Sequence, residues 1–441
     1  MSRSSVGRST AATPSTFLSS ALLGAQFLLV PLFFLPGLRD AFRMPKLLLA
    51  GVFGLASLLA LAWEQRAQPP RGFRSPREFL RHPAVLAVLP FLAVAGASLL
   101  WTPHLAHAKQ AFFDCAIGAA CLLGWSLALP SERIERWLAS LLWGGALLSI
   151  FAILQYFDLW TPLRFAGLGT NERLGITSLA GNPGDLGAYL ALPAALGPWA
   201  LARAAGRRRI AVAAAWGLGV VGLALSQTLA ALLALAVGWA IYGALALPRR
   251  RVILGFGALV LAGALALGLV APLRQRVVNK LGPLARGDWN EVLTGRLDGW
   301  RVAMHLFAAH PWAGVGHGGF RPSYVSGKLA LLERGTVFYK KQASPVFANA
   351  HNEYLETAAD LGVPGILALL GGVALAFRGA ARKPKEGGRR ALAWSGLAVL
   401  AVLSLAYFPF RIALTAYPAI LFLAWLFVPA DDAASDRESQ S

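Results

Sequence analysis

The chain has 441 residues, of which 56% are hydrophobic and only 14% charged, and its mean hydropathy is +0.57. Water-soluble proteins carry about 25% charged residues, so a soluble fold is excluded. The formal charge of +20 comes from short basic clusters between apolar runs, the pattern that orientation in a membrane requires, and it does not signal nucleic-acid binding.

The segment Met1 to Ser15 is rich in Ser and Thr and carries Arg3 and Arg8. The apolar run after it lacks a small-x-small cleavage site, which predicts a retained first helix and no cleaved signal. Runs able to cross a hydrocarbon core of about 30 Å as helices fall at 17–36, 47–63, 83–101, 110–129, 137–157, 183–202, 210–225, 228–247, 252–271, 362–377, 391–408 and 412–428. The expected fold is an all-α polytopic membrane protein of about twelve transmembrane helices. A long, partly helical outer segment separates the ninth helix from the tenth. The tight connection at 226–227 predicts that spans seven and eight form a helical hairpin. Cys115 and Cys121 lie six apart in one run, face different directions on a helix and read as buried small hydrophobes. In these terms the chain divides into 1–16, 17–272 (spans one to nine), 273–361, 362–428 (spans ten to twelve) and a polar tail, 429–441, expected to be disordered.

Orientation follows from lysine and arginine. With the N-terminus cytoplasmic, the inner segments hold 23 of the 41 basic residues and the short outer loops hold 7. Long loops cross largely regardless of charge, so that contrast predicts both termini inside. The segments 158–182 and 273–361 then lie outside, which in a bacterium is the periplasm. Six of the seven histidines go with the outer segments: His104, His107, His305, His310, His317 and His351.

A loop of some 90 residues should carry structure or function. Leu297, Trp300, Met304 and Phe307 recur at helical spacing, with Arg296, Arg301 and His305 off that stripe. Such a helix can lie on the membrane surface with its arginines at lipid headgroups, or it can present them to an anionic substrate. His310-Pro311 ends it, and the glycines from Gly314 to Gly319 require a tight loop.

The stretch from Ala350 to Glu356 reads as a second short helix capped by Asn349, with His351 in its first turn and Tyr354, Leu355 and Ala358 on an apolar face. Gly362 suits a left-handed closing position, and Pro364 suits the first turn of the next span. The positive end of the helix dipole favours a neutral imidazole, which can act as a general base, although a histidine there can also simply satisfy a backbone group. No H-E-x-x-H, P-loop or dinucleotide motif occurs, so neither zinc proteolysis nor nucleotide hydrolysis is predicted, and no metal or cofactor is expected.

Three ordered blocks resemble the O-antigen ligase and polymerase superfamily of bacterial membrane glycosyltransferases. His351-Asn352, nine residues, then Gly362-Val363-Pro364-Gly365 is similar to its His-Asn-x9-Gly-x-x-Gly pattern. Arg296-Leu297, Trp300 and the run His310-Pro311-Trp312-Ala313-Gly314-Val315-Gly316 resemble the upstream block. Gly181-Asn182-Pro183 resembles the Asn-Pro that precedes an apolar span. The resemblance covers roughly 170–365. At the turn between spans seven and eight, relatives carry Ser-Arg-Gly or a close variant, whereas this chain has Ser226-Gln227-Thr228-Leu229-Ala230. The missing arginine, thought to help hold the donor's diphosphate, leaves open a substitute (Arg173, Arg164 or Arg411), a changed donor or a catalytically weak paralogue.

The resemblance implies transfer of a glycan from an undecaprenyl-diphosphate carrier to an acceptor hydroxyl outside the cytoplasmic membrane. O-antigen ligation to lipid A–core comes first, ahead of glycan polymerisation and of transfer to a protein hydroxyl. It implies His351 as base and Arg296 as the cation on the leaving diphosphate. Arg301, Asn352, Arg173, Asn182, Trp300 and His317 are then substrate contacts, and Gly314, Gly316, Gly362 and Gly365 are structural motif positions. The lipid bilayer is the remaining partner, and 273–361 is the catalytic segment. A flippase of lipid-linked glycans is the alternative from another class, but it needs charges deep in several spans, and the span interiors here are nearly charge-free.

Overall fold

The computed structural model describes residues 15–38, 40–66, 75–160, 173–269, 271–339 and 346–428, and no strand occurs among them. The N-terminal fourteen residues and the tail from 429 lie outside the described residues. The first group of helices is α1 (Ser15–Leu32), α2 (Arg43–Arg66), the short α3 (Pro76–Leu80), α4 (Pro83–Ala97), α5 (Leu105–Ala128) and α6 (Ser131–Tyr156). The second is α7 (Pro183–Arg203), α8 (Gly206–Leu225), α9 (Leu229–Ala246) and α10 (Arg249–Leu269). The expected outer segment contains α11 (Ala271–Ala285), α12 (Trp289–Val292), α13 (Arg296–Ala309) and α14 (Phe320–Glu333). The chain then runs through α15 (Glu353–Arg382), α16 (Arg389–Ala406) and α17 (Ala413–Phe427).

Each of the twelve expected apolar stretches falls on a helix. Among the described residues, eight helices are long and apolar enough to cross a membrane, and Leu18–Leu32 and Ala413–Phe427 are shorter apolar helices. Their outward faces are apolar too: on α2, Leu48, Val52, Leu59 and Trp63 are all more than 60% exposed. Water penalises a surface of that kind, whereas lipid chains do not.

The interior is one packed bundle. Trp125, Leu138, Leu141, Leu196, Phe422 and Trp425 anchor its larger core, and Leu148, Leu186, Tyr189, Leu223 and Leu403 anchor a second beside it. Spans seven and eight do not pair as a hairpin. After the turn, α9 packs against α16 and α7, while α8 packs against α6 and α7, so the two helices diverge. A two-residue link fixes where two helices meet, and side-chain packing then decides how they part.

Ion pairs tie both ends of the bundle. At one end Glu135 accepts from Arg389 at 2.6 and 3.1 Å and lies 3.5 Å from Arg203, while Glu64 accepts from the Ser19 hydroxyl and faces Arg133. Buried carboxylates require such partners, because an unpaired charge in this setting costs several kcal/mol. The opposite end carries a denser cluster.

Helix α13 turns a face rich in small residues inward. Asp298, Gly299, Val302, Ala303 and Leu306 are buried, whereas Met304 is half exposed. Small residues set this orientation, since a Cβ on Gly299 would stand only 2.9 Å from the Ala350 carbonyl oxygen. The helix therefore packs backbone to backbone against the His351 segment, and Met304 faces outward. Val302, Ala303, Leu306, Val315, Phe320, Tyr324, Ala350 and Ala359 form its local core.

Candidate functional site

The two motif blocks interlock through backbone. The loop after α13 reaches the first two turns of α15, where Val315 N–H donates to Ala359 O at 3.0 Å and Gly316 N–H to Asp360 O at 2.8 Å. In return Val363 N–H donates to Pro311 O at 2.7 Å. Gly362 breaks α15 with φ +64° and ψ −160°, a region open essentially only to glycine, and not the left-handed cap expected. A Cβ there would stand 2.6 Å from Pro311 O, and one on Gly314 (φ +63°) would overlap Asp360 O. Gly316 also has positive φ, while Gly365 is buried in the helix beyond the kink.

This junction holds His351. The cap of α15 is Asn352, not Asn349: its Oδ1 accepts from Leu355 N–H at 3.0 Å, and its Nδ2 donates to Leu405 O. His351 therefore stands one residue outside the helix, at φ +57°. That conformation is uncommon for a non-glycine residue and is held by its surroundings. Glu356 accepts from Ala350 N–H at 2.6 Å and Asn349 Nδ2 at 3.1 Å, and Trp300 Nε1 donates to the His351 carbonyl at 3.4 Å. With both ends of its side chain hydrogen-bonded to backbone, Asn352 fixes the loop, and Trp300 does the same through its indole.

The imidazole sits in an aromatic slot. Phe408 and Phe347 meet it edge-on at centroid distances of 4.9 and 5.4 Å, and Tyr407 is tilted at 6.4 Å. Its Nδ1 is buried without a hydrogen-bond partner. Burial, then Arg296, then Arg43 push its pKa down to about 3, so the ring is neutral at pH 7. Burial lowers Arg296 as well, and its Nε has no partner. Arg276 on α11 is a close like charge: burial and Arg296 both lower it, and its Nε is likewise unpartnered. Neither guanidinium has an ion-pair partner among the described residues.

Arg43, at the start of α2, is the cation the sequence did not single out. Its Nε and Nη2 donate to Asp185 at 2.8 and 3.0 Å, and its Cζ lies 5.8 Å from the Phe408 ring centre. The Tyr407 hydroxyl donates to the same carboxylate. Asp185 follows Asn182, whose Oδ1 caps α7 by accepting from Gly184 N–H at 2.6 Å. The turn at 226–228 buttresses this helix start, with Thr228 Oγ1 donating to Pro183 O at 2.9 Å.

A second clasp lies alongside. Arg411 contacts Glu353, Glu356 and Asp360 at 3.1, 3.0 and 3.3 Å. Burial works against its charge, but the three carboxylates outweigh that and keep it protonated. Arg411 is thus engaged and is not the free substitute suggested by sequence. Arg301 does not join His351 either: it donates to Val337 O at 3.0 Å and faces Asp298 at 3.7 Å. Arg173 opens a short helical turn, but its side chain, like all of Arg164, lies outside the described residues.

Beside the cluster is a cavity of about 570 Å³ between α2, α4, α5, α15, α16 and α17. Its depth is apolar, with Val88, Leu122, Leu369, Leu397, Leu400 and Ile420, and its polar rim includes Arg43, His107, Asp114, Arg321, Glu353 and Arg411. His317 belongs to this wall rather than to the His351 slot. It meets Phe91 edge-on, and burial followed by Arg411 pushes it down to about 3.

Residues 212–370, from α8 into α15, match the family model described as O-antigen ligase. Over that stretch the chain is similar to O-antigen ligases. No curated protein matches it. That similarity, in a bundle of apolar helices, supports a membrane glycosyltransferase type of function. Of the site residues suggested by sequence, the fold brings Arg296, Trp300 and Asn352 to His351, sends Arg301 and His317 elsewhere, and gives Asn182 a capping role. Arg43, Asp185, Tyr407 and Arg276 were missed. Their one signal was position, since Arg43, Asp185 and Tyr407 all sit at helix ends on the expected outer side.

Proposed function

We propose that this chain is a member of the O-antigen ligase superfamily and transfers a glycan from an undecaprenyl-diphosphate carrier to an acceptor hydroxyl at the periplasmic face of the bacterial inner membrane, with lipid A–core as the first acceptor to test. In this reading the chain crosses the membrane twelve times with both termini cytoplasmic, and His351 faces the periplasm. The observation that carries it is a neutral imidazole with an unpartnered buried nitrogen, set in the field of Arg43 and of Arg296, the latter without an ion-pair partner among the described residues.

The chemistry follows from those groups. As the acceptor oxygen attacks C1 of the donor sugar, its proton passes to His351. The C1–O bond to the diphosphate breaks, and its electron pair goes to the departing oxygen. Arg296, with Arg276 beside it, stabilises the negative charge that develops there. Attack opposite the leaving group inverts C1, and the diphosphate linkage itself supplies the driving force. The neighbouring cavity is apolar in depth and polar at its rim, as a prenyl chain with an anionic head requires.

The test is incubation of purified protein in nanodiscs with a lipid-linked glycan and three separate acceptors: lipid A–core, a second carrier-linked glycan and a protein. Mass analysis should find a covalent product with release of undecaprenyl diphosphate, and His351→Ala should give none. The productive acceptor distinguishes ligase from polymerase and from protein glycosylation. Glycan movement across the bilayer without any covalent product would defeat the proposal.

A further inference from the structure

The cavity and the imidazole are separate places: neither His351 nor Arg296 lines the cavity wall. Arg43 belongs to both. It stands on the cavity rim, and Phe408 links it to the slot, with that ring 5.8 Å from the guanidinium carbon and 4.9 Å from the imidazole centroid. Its side chain is 38% exposed, so it is open to a ligand.

Resting on the lipid-linked donor reading, we propose that Arg43 is a further donor-binding residue, which grips the diphosphate between the chain-holding cavity and His351 and supplies the charge that the turn at 226–230 lacks. Three features of the geometry support this. Asp185 takes Nε and Nη2 and leaves Nη1 without a partner among the described residues, and Asp185, itself buried, is fixed in turn by the Tyr407 hydroxyl. A guanidinium clamped along one edge presents its remaining N–H groups in a set direction, as recognition of phosphate oxygens requires. The neighbourhood also holds more cations than carboxylates. Arg43, Lys46, Arg276 and Arg296 stand against Asp40 and Asp185, and Lys46 is already spent on the carbonyls of Phe33 and Leu179 at 2.6 and 2.7 Å. At the 226–228 turn Gln227 is buried with an unpartnered Nε2, and the turn offers no positive charge.

The experiment titrates nanodisc-embedded full-length protein with undecaprenyl diphosphate, undecaprenyl monophosphate and phosphatidylglycerol, read by native mass spectrometry. Arg43→Gln should weaken diphosphate binding about 10- to 100-fold, the scale of one charge-assisted hydrogen-bonding group, and weaken monophosphate binding less. Because that variant leaves Asp185 unpaired, the double variant Arg43→Gln/Asp185→Asn is measured with it. If Arg43 holds the donor, the double variant stays weak. Recovery of wild-type diphosphate affinity in the double variant would show that Arg43 serves only Asp185 and would overturn the proposal. Unchanged affinity in Arg43→Gln, with wild type and His351→Ala both binding the diphosphate, would overturn it while leaving the donor reading intact. Wild-type protein that does not prefer the diphosphate to phosphatidylglycerol would remove the donor reading and this proposal together.

Discussion

Replacing Gly362 by Ala should separate the two halves of the site. The backbone there has φ +64° and ψ −160°, and a side chain in that region costs about 1–3 kcal/mol in strain alone. The new Cβ would also stand 2.6 Å from Pro311 O and 2.7 Å from the Trp312 carbonyl carbon, both backbone atoms that cannot rotate away. Overpacking of that kind adds about 1–3 kcal/mol. Together these terms come to about 2–6 kcal/mol, enough to break the Val363-to-Pro311 hydrogen bond and lift the loop off α15. Since α13 enters that loop, Arg296 moves relative to His351, and a displacement of about 1 Å can cost about 100-fold in rate. The control is Gly371→Ala on the same helix, where a Cβ meets nothing within 4 Å and helix propensity favours alanine by up to about 1 kcal/mol. Thermal unfolding in detergent and the transfer assay should both show Gly362→Ala clearly impaired and Gly371→Ala near wild type. Equal behaviour of the two variants would refute the interlock argument.

Other outcomes follow from the charges. His351 has its pKa pushed down to about 3, so it stays neutral and competent as a base well below its ordinary range, and kcat/KM should show no histidine limb near pH 6.5. A bound diphosphate offsets Arg296 and Arg43, which raises the histidine in the complex, so any acid limb in kcat should lie at higher pH than in kcat/KM. An acid limb at pH 6.5 in kcat/KM would contradict this. Arg296→Lys should lower transfer at least about tenfold, because a point charge does not reproduce the planar fork, whereas Arg301→Gln, which loses only a partly exposed pair, should change it less than about fivefold. Arg411→Met strands three buried carboxylates and should destabilise the fold by about 3–5 kcal/mol, seen as loss of monodisperse protein in detergent before any kinetic effect.

Much of this was legible in the residues. A helix that crosses a bilayer must satisfy its backbone internally and show lipid about twenty apolar side chains, so apolar stretches stand out, and eight helices among the described residues meet that requirement. The apolar stripe of Leu297, Trp300, Met304 and Phe307 marks α13 as amphipathic but does not reveal which face packs against the protein. Here Gly299 and Ala303 pack against the His351 segment, and Met304 stays half exposed. The cap of α15 moved because Asn349 and Asn352 are both good caps, and Glu356 decides between them by taking Asn349 and Ala350 N–H for itself.

By itself, then, the sequence determined the helical, apolar architecture and carried the resemblance to O-antigen ligases that points to His351 and Arg296, because lipid solvation and short motifs leave local signatures. Only the tertiary structure decided how those residues are supported. Arg43 meets Asp185 across 142 positions of chain, and Tyr407 meets the same carboxylate across 222. No local pattern encodes such a contact, because it exists only once helices distant in sequence have packed and brought their ends together.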